Sequence, residues 1–172
     1  MAKIAIIGAG SIIFCKTLLN DLFATPCLAG STYELMGPTL WKLEKMKTYA
    51  DQIIEKNGLS AQVHCTTDRR EALRGADYVI LMFQVGGVEA FKMDYEIPMK
   101  HGVDQCIGDS LGPGGVFRAL RSAPVLLGIG QDMAELCPDA YVLNYVNPMG
   151  GVCTIAGRAT QMKFGGLCHG VQ

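Results

Sequence analysis

The stretch KIAIIGAGS, Lys3 to Ser11, decides the fold. Lys3 to Ile7 is a short apolar run that stops at Gly8. A run with no polar alternation suits a strand buried on both faces of a parallel sheet. Gly8-Ala9-Gly10-Ser11 then turns the chain into a helix. Gly8 permits the tight turn. Gly10 lets the backbone approach an anion such as a pyrophosphate, whose charge would sit over the helix N-terminus. The third glycine of the usual pattern is absent and Ile13 stands there. Glycines in a bare strand-to-helix turn would look the same, so the flanking chain has to decide.

Working outward, apolar runs alternate with helical stretches. A helix is expected from Ile12 to Phe23, ended by Thr25 and Pro26. Tyr33 to Met36 reads as a second strand, and Leu40 to Lys56 as a helix closed by Asn57-Gly58. Gln62 to Cys65 is a third strand, Asp68 caps a brief helix to Leu73, and Tyr78 to Phe83 is a fourth strand. Phe91 to His101 is expected to be helical despite Pro98, with a glycine-rich loop over residues 104–115. Val116 to Leu136 follows as a long helix that Pro124 should kink. Tyr141 to Val146 is a fifth strand, Pro148 opens another helix, and Phe164 to Cys168 is a sixth strand. This alternation calls for an α/β fold: a doubly wound parallel sheet, Rossmann-like, in three α/β/α layers. Residues 1–172 read as a single dinucleotide-binding domain. Ligands of such folds bind beyond the carboxyl ends of the strands, where all the candidate motifs fall.

Composition narrows the classes. Hydrophobic residues make up 49% and charged residues 18% of the chain, and mean hydropathy is +0.23. That apolar excess predicts self-association into a homo-oligomer. A net charge of -1 with no basic cluster argues against nucleic acid as a partner. No apolar run reaches membrane-spanning length, and MAKIAIIGAG is too short and glycine-rich for a signal peptide. Seven cysteines, an odd number with no CxxC pair, fit a reducing cytoplasm rather than a disulfide framework or a structural zinc site.

Six places carry candidate chemistry. Strand two should end in a carboxylate that grips ribose hydroxyls, but the chain has Met36-Gly37-Pro38-Thr39, and Glu34 lies too far back. Losing that charge-assisted pair costs about 1.5–3 kcal/mol. The expectation is weak dinucleotide binding, or a cofactor phosphorylated on that ribose, with Trp41 and Lys42 the nearest candidates to meet it. Gly86 and Gly87, after strand four, permit close approach of a cofactor. Asp109 in the glycine-rich loop can serve as acid, base or substrate clamp, or simply cap a turn. Arg118 and Arg121, three apart on one helix face, suit an anion or sugar. Asn144 and Asn147 bracket the end of strand five and suit sugar hydroxyls or a nicotinamide ribose. Cys168 offers a thiolate for a metal, the alternative being a small buried hydrophobe, and His169 offers a general acid or an outer partner of that metal. His64 and His101 have no such company and read as ordinary residues.

Taken together, GAGS (8–11), FQVGG (83–87), GDSLGPGGVFRALR (108–121), LNYVNPM (143–149) and GLCHGVQ (166–172) resemble the family 4 glycoside hydrolases, most of all their α-galactosidase branch. The resemblance implies a cytoplasmic hydrolase of small glycosides that needs NAD and a divalent metal, commonly manganese (Mn2+). Its chemistry departs from the two-carboxylate scheme. NAD takes a hydride from C3 of the sugar, the metal polarises the resulting carbonyl, a base removes the C2 proton, and the aglycone leaves. Water then adds and the hydride returns. The resemblance makes Cys168 the metal's thiolate, gives sugar hydroxyls to Asn147 and an acidic substrate position to Asp109, and gives the pyrophosphate to Gly8, Gly10 and Ser11. Gly37 and Thr39 replace the family's aspartates. The family's metal-binding histidine, its tyrosine base and most of its sugar wall would come after residue 172, so this chain alone is expected to be inactive. Two other readings stay open: a lactate or malate dehydrogenase-like oxidoreductase, which shares Asn-Pro after strand five, and a self-associating dinucleotide-binding module without catalysis.

Overall fold

The computed structural model describes residues 1–105 and 110–168. Six strands form one wholly parallel sheet: β1 (Lys3–Ile7), β2 (Thr32–Met36), β3 (Gln62–Thr66), β4 (Tyr78–Leu81), β5 (Tyr141–Asn144) and β6 (Lys163–Gly166). Their order is β3-β2-β1-β4-β5-β6. The helices between them are α1 (Ile12–Ala24), α2 (Leu40–Asn57), α3 (Arg69–Leu73), α4 (Gly87–Lys100), α5 (Gly112–Leu136) and α6 (Met149–Ala159).

The strand pleat sorts the core into two layers. Ile4 and Ile6 of β1, Tyr33 and Leu35 of β2 and Ile80 of β4 face Leu19 and Phe23 of α1 and Leu43 and Met46 of α2. Ala5, Ile7, Val79, Leu81 and Val142 face the other way, onto α3, α5 and α6. A strand buried on both faces needs such residues at successive positions, which is why KIAII carries no alternation. β1 lies between β2 and β4, so the strand order reverses there. A crevice at the carboxyl ends follows from that reversal.

The element boundaries differ from the sequence expectation in instructive places. α4 starts at Gly87 and α5 at Gly112, each four residues earlier than read. Glycine is a poor helix former, but α5 opens with Pro113 in its first positions, which presets φ. Gly115 is also needed there, because a Cβ on it would stand 2.8 Å from the backbone of Ser110. β5 stops at Asn144 because the Asn144 side chain takes over the next backbone groups: Val146 N–H donates to Oδ1 at 3.0 Å, and Nδ2 donates to Val146 C=O at 3.1 Å. Pro124 sits within α5, which runs unbroken as one helix through it.

Pro98 leaves the Asp94 carbonyl of α4 without its helical donor. Gln105 fills the gap. Its Nε2 donates to that carbonyl at 3.3 Å, while its Oε1 accepts from the Gly114 N–H at 3.2 Å, one of the unpaired donors in the first turn of α5. A single side chain therefore ties two helix defects together. Gln105→Ala is expected to lower the unfolding free energy by about 1–2 kcal/mol, read from urea denaturation. A loss under a few tenths would mean that water replaces both bonds at no cost.

Candidate functional site

Four chain segments leaving the carboxyl ends of β1, β2, β4 and β5, with Arg118 of α5, line a cleft of about 450 Å³. Gly8, Gly10 and Ser11 form its floor, and Gly37, Pro38, Thr39 and Lys42 one wall. Met82, Phe83 and Gln84, with Tyr145, Val146, Asn147 and Arg118, form the opposite side.

The two floor glycines differ in kind. Gly8 has φ +99, and a Cβ there would lie 2.7 Å from the Phe83 backbone nitrogen. Its N–H and that of Ala9 both donate to the Met36 carbonyl, at 2.8 and 3.0 Å. Gly8 is thus fixed by the protein's own packing. A Cβ on Gly10 would meet only the stem of Lys42, at 3.7–3.8 Å, which is ordinary contact. Nothing in the protein itself requires that glycine, so the bare backbone it leaves at the cleft is available to a ligand. Ser11 caps α1 in extended conformation without a side-chain hydrogen bond. The first amides of α1 therefore meet the cleft with no side-chain acceptor from the cap residue.

The remaining sequence candidates separate. Asn147 lines the cleft, whereas Asn144 is fully buried and spends its amide on the turn that presents Tyr145 to Asn147. Arg118 lines the cleft, and burial lowers its pKa from the usual value against the opposing pull of Asp94. It stays a cation, as arginine does throughout the accessible range. Arg121, three residues on, is placed elsewhere. Its guanidinium forks onto Asp94, with Nη1 to Oδ1 at 3.0 Å, and its Nε donates to the Val85 carbonyl at 3.1 Å. The hydrogen bond to Asp94 raises its pKa. Asp94 is 1% exposed, so a buried carboxylate holds the side chain read as a substrate clamp. Gly86 and Gly87 lie at the start of α4 rather than among the cleft residues. Gly86 has φ +88, and a Cβ on it would collide with Ala90 at 2.4 Å and press on Arg121 at 3.3 Å. Its glycine serves the packing of α4. Glu34, the acidic residue of β2, pairs with Lys3 at 3.2 Å.

Cys168 is exposed just beyond β6. Among the described residues no three His, Cys, Asp or Glu side chains converge to hold a metal. Asp109 and His169 lie outside the described residues. The other described thiols are free as well, and burial pushes Cys15 up to about 12. No helix among the described residues is long and apolar enough to cross a membrane. Phe14, Met82 and Tyr145 are cleft residues that motif reading did not single out, whereas Lys42 was named there as a candidate to meet a ribose phosphate. The one hint of Lys42 was its place just after the strand-two end.

An α-galactosidase of Rhizobium meliloti (strain 1021) is 44% identical over 171 residues, which is 99% of this chain and 35% of that protein. An α-galactosidase of Bacillus subtilis (strain 168) is 42% identical over 173 residues, covering 100% of this chain and 40% of that one. The chain therefore spans well under half the length of these relatives. The 6-phospho-β-glucosidase of Thermotoga maritima, solved with NAD and glucose-6-phosphate, superposes with a TM-score of 0.84 at 25% identity, over 96% of this chain and 39% of that one. A malate dehydrogenase of Plasmodium falciparum shares the fold alone, with a TM-score of 0.66 at 13% identity over 98% of this chain and 45% of that one. The dehydrogenase likeness is thus one of architecture, while the likeness in sequence is to glycosidases. The sequence model of the family 4 glycosyl hydrolases matches residues 3–172, and the chain belongs to that family.

Proposed function

We propose that this chain forms the nicotinamide-dinucleotide-binding part of a family 4 α-glycosidase whose whole protein acts on α-galactosides. The observation that carries the reading is the floor of the cleft. Gly8 is locked by packing, Gly10 is left bare toward the ligand side, and the N-terminus of α1 opens beside them. The family membership and the two α-galactosidase relatives supply the substrate class.

A dinucleotide fits the floor residues. When bound, it supplies a hydride acceptor for oxidising a sugar carbon. This chain's own residues would bind and orient it: the backbone amides around Gly10 and Ser11 take the pyrophosphate, Arg118 adds a positive charge, and Asn147 offers an amide to ribose or sugar hydroxyls. Asn144 acts indirectly, by holding the turn that presents Asn147. A metal such as manganese does not find a set of ligands among the described residues, where Cys168 stands as a single exposed thiol. Asp109 and His169 remain proposals for acid–base work on the strength of the family motifs. The exposed side chains Ile12, Ile13 and Phe14 of α1 support self-association, and the seven unpaired-pattern cysteines support a cytoplasmic location.

The test is titration calorimetry of the 172-residue chain with nicotinamide dinucleotides, run beside a p-nitrophenyl α-galactoside assay and light scattering. One dinucleotide per chain is expected to bind, with ADP-ribose competing. No hydrolysis is expected from this chain alone, because its cleft lining contains neither carboxylate nor histidine among the described residues. Absence of dinucleotide binding would overturn the reading of the cleft. Turnover by the chain alone would overturn its assignment as a partial enzyme.

A further inference from the structure

Resting on the dinucleotide reading above, we infer that the cleft takes a dinucleotide phosphorylated on the 2′-hydroxyl of its adenosine ribose in preference to the unphosphorylated form, with Lys42 meeting the phosphate. In a sheet of this strand order, the residue leaving β2 faces the adenosine ribose, and a carboxylate there accepts its hydroxyls and repels a 2′-phosphate. Here the register pairs Met36 with Ile7, and the amides of Gly8 and Ala9 hold the Met36 carbonyl, so Gly37 to Thr39 leave the sheet directly beside the glycine turn. A Cβ on Gly37 would lie 3.7 Å from the Gly10 nitrogen, which places any side chain at that position over the cleft floor. Gly37 offers none.

No Asp or Glu occurs among the described residues lining the cleft, and both ionisable side chains besides Tyr145 are cations, Lys42 and Arg118. Glu34, the nearest carboxylate of β2, is held by Lys3. Lys42 lies in the first turn of α2, a turn without acidic residues whose cap, Thr39, makes no side-chain hydrogen bond. A lysine at that end of a helix opposes the dipole, and an anion close by offsets that cost. Its stem runs along the open face of Gly10 and its ammonium stands 5.6 Å from the Trp41 ring centroid. Lys42, Thr39 and bare Gly37 line the same wall of the cleft, a recess whose groups suit a phosphate dianion where a carboxylate would suit a diol.

Titration calorimetry in phosphate-free buffer tests this with NADP+ and NAD+ on the same chain, repeated with inorganic phosphate added. NADP+ is expected to bind about tenfold tighter or more. Lys42→Gln should bring the two affinities to within about threefold, and Gly37→Asp should reverse the preference toward NAD+. The new Asp stem would stand 3.3 Å from the tip of Leu43, a side chain that can move, and a melting curve checks that the variant folds. Equal binding of the two dinucleotides, tighter NAD+, or a preference that survives either substitution overturns this inference and leaves the dinucleotide reading intact. No binding of either dinucleotide overturns both. Inorganic phosphate that weakens NADP+ while sparing NAD+ supports the recess, and phosphate without effect on NADP+ counts against it.

Discussion

Arg121→Met is expected to remove about 3–5 kcal/mol from the unfolding free energy, because it strands a buried carboxylate. Asp94 is 1% exposed and sits on α4, 27 residues away along the chain from the α5 arginine that holds it. The fork to Asp94 and the Nε bond to the Val85 carbonyl tie α4, α5 and the segment after β4 to one guanidinium. Methionine keeps much of the stem's packing and loses every one of these bonds. Urea denaturation gives the number. Combining Arg121→Met with Asp94→Leu should recover a large part of the loss, since removing both charges is far milder than removing one. A single-variant loss below about 1 kcal/mol would show that the pair behaves like an exposed surface bridge.

That pair also marks where the sequence stopped being readable. KIAII followed by a glycine turn announces a buried strand and its helix, and six strands in a doubly wound parallel sheet follow from repeated alternation. Those signals are local and periodic. Arg118 and Arg121 carry the same local signal, because three-residue spacing puts both on one helix face. Only the partner distinguishes them. Asp94 lies far away in sequence, within an amphipathic helix, and looks there like any solvated acid. Asn144 and Asn147 differ in the same way, since one side chain is consumed by the backbone two residues on and the other faces the cleft. Helix starts at Gly87 and Gly112 were hidden because glycine argues against a helix until its packing partners are known. Lys42 was visible only as a cation near a missing carboxylate. Its placement over Gly10 depends on how α2 lies against the first turn, which no spacing rule reports.

Gly8→Ala is the second large effect, and it separates packing from ligand binding at the floor of the cleft. The expected cost is about 3 kcal/mol, near 6–12 °C in melting temperature for a chain of this size. Two causes add. Gly8 has φ +99, where an L residue is strained, and its new Cβ would stand 2.7–2.8 Å from backbone atoms of Met82 and Phe83. Backbone cannot rotate away as a side-chain tip can, so β1 and β4 must part just beyond their last paired residues, Ile7 and Leu81. Gly10→Ala is the matched control. Its Cβ would meet only the Lys42 stem, at 3.7 Å or more, so stability should change by no more than about 0.5 kcal/mol. Dinucleotide affinity should nevertheless fall by about tenfold or more, because a methyl group would occupy the space the pyrophosphate needs. Melting curves and calorimetry on both variants decide it. If Gly10→Ala keeps full affinity, the bare backbone at Gly10 does not serve a ligand. If Gly8→Ala melts within about 2 °C of the parent, the contact between β1 and β4 is looser than the distances state.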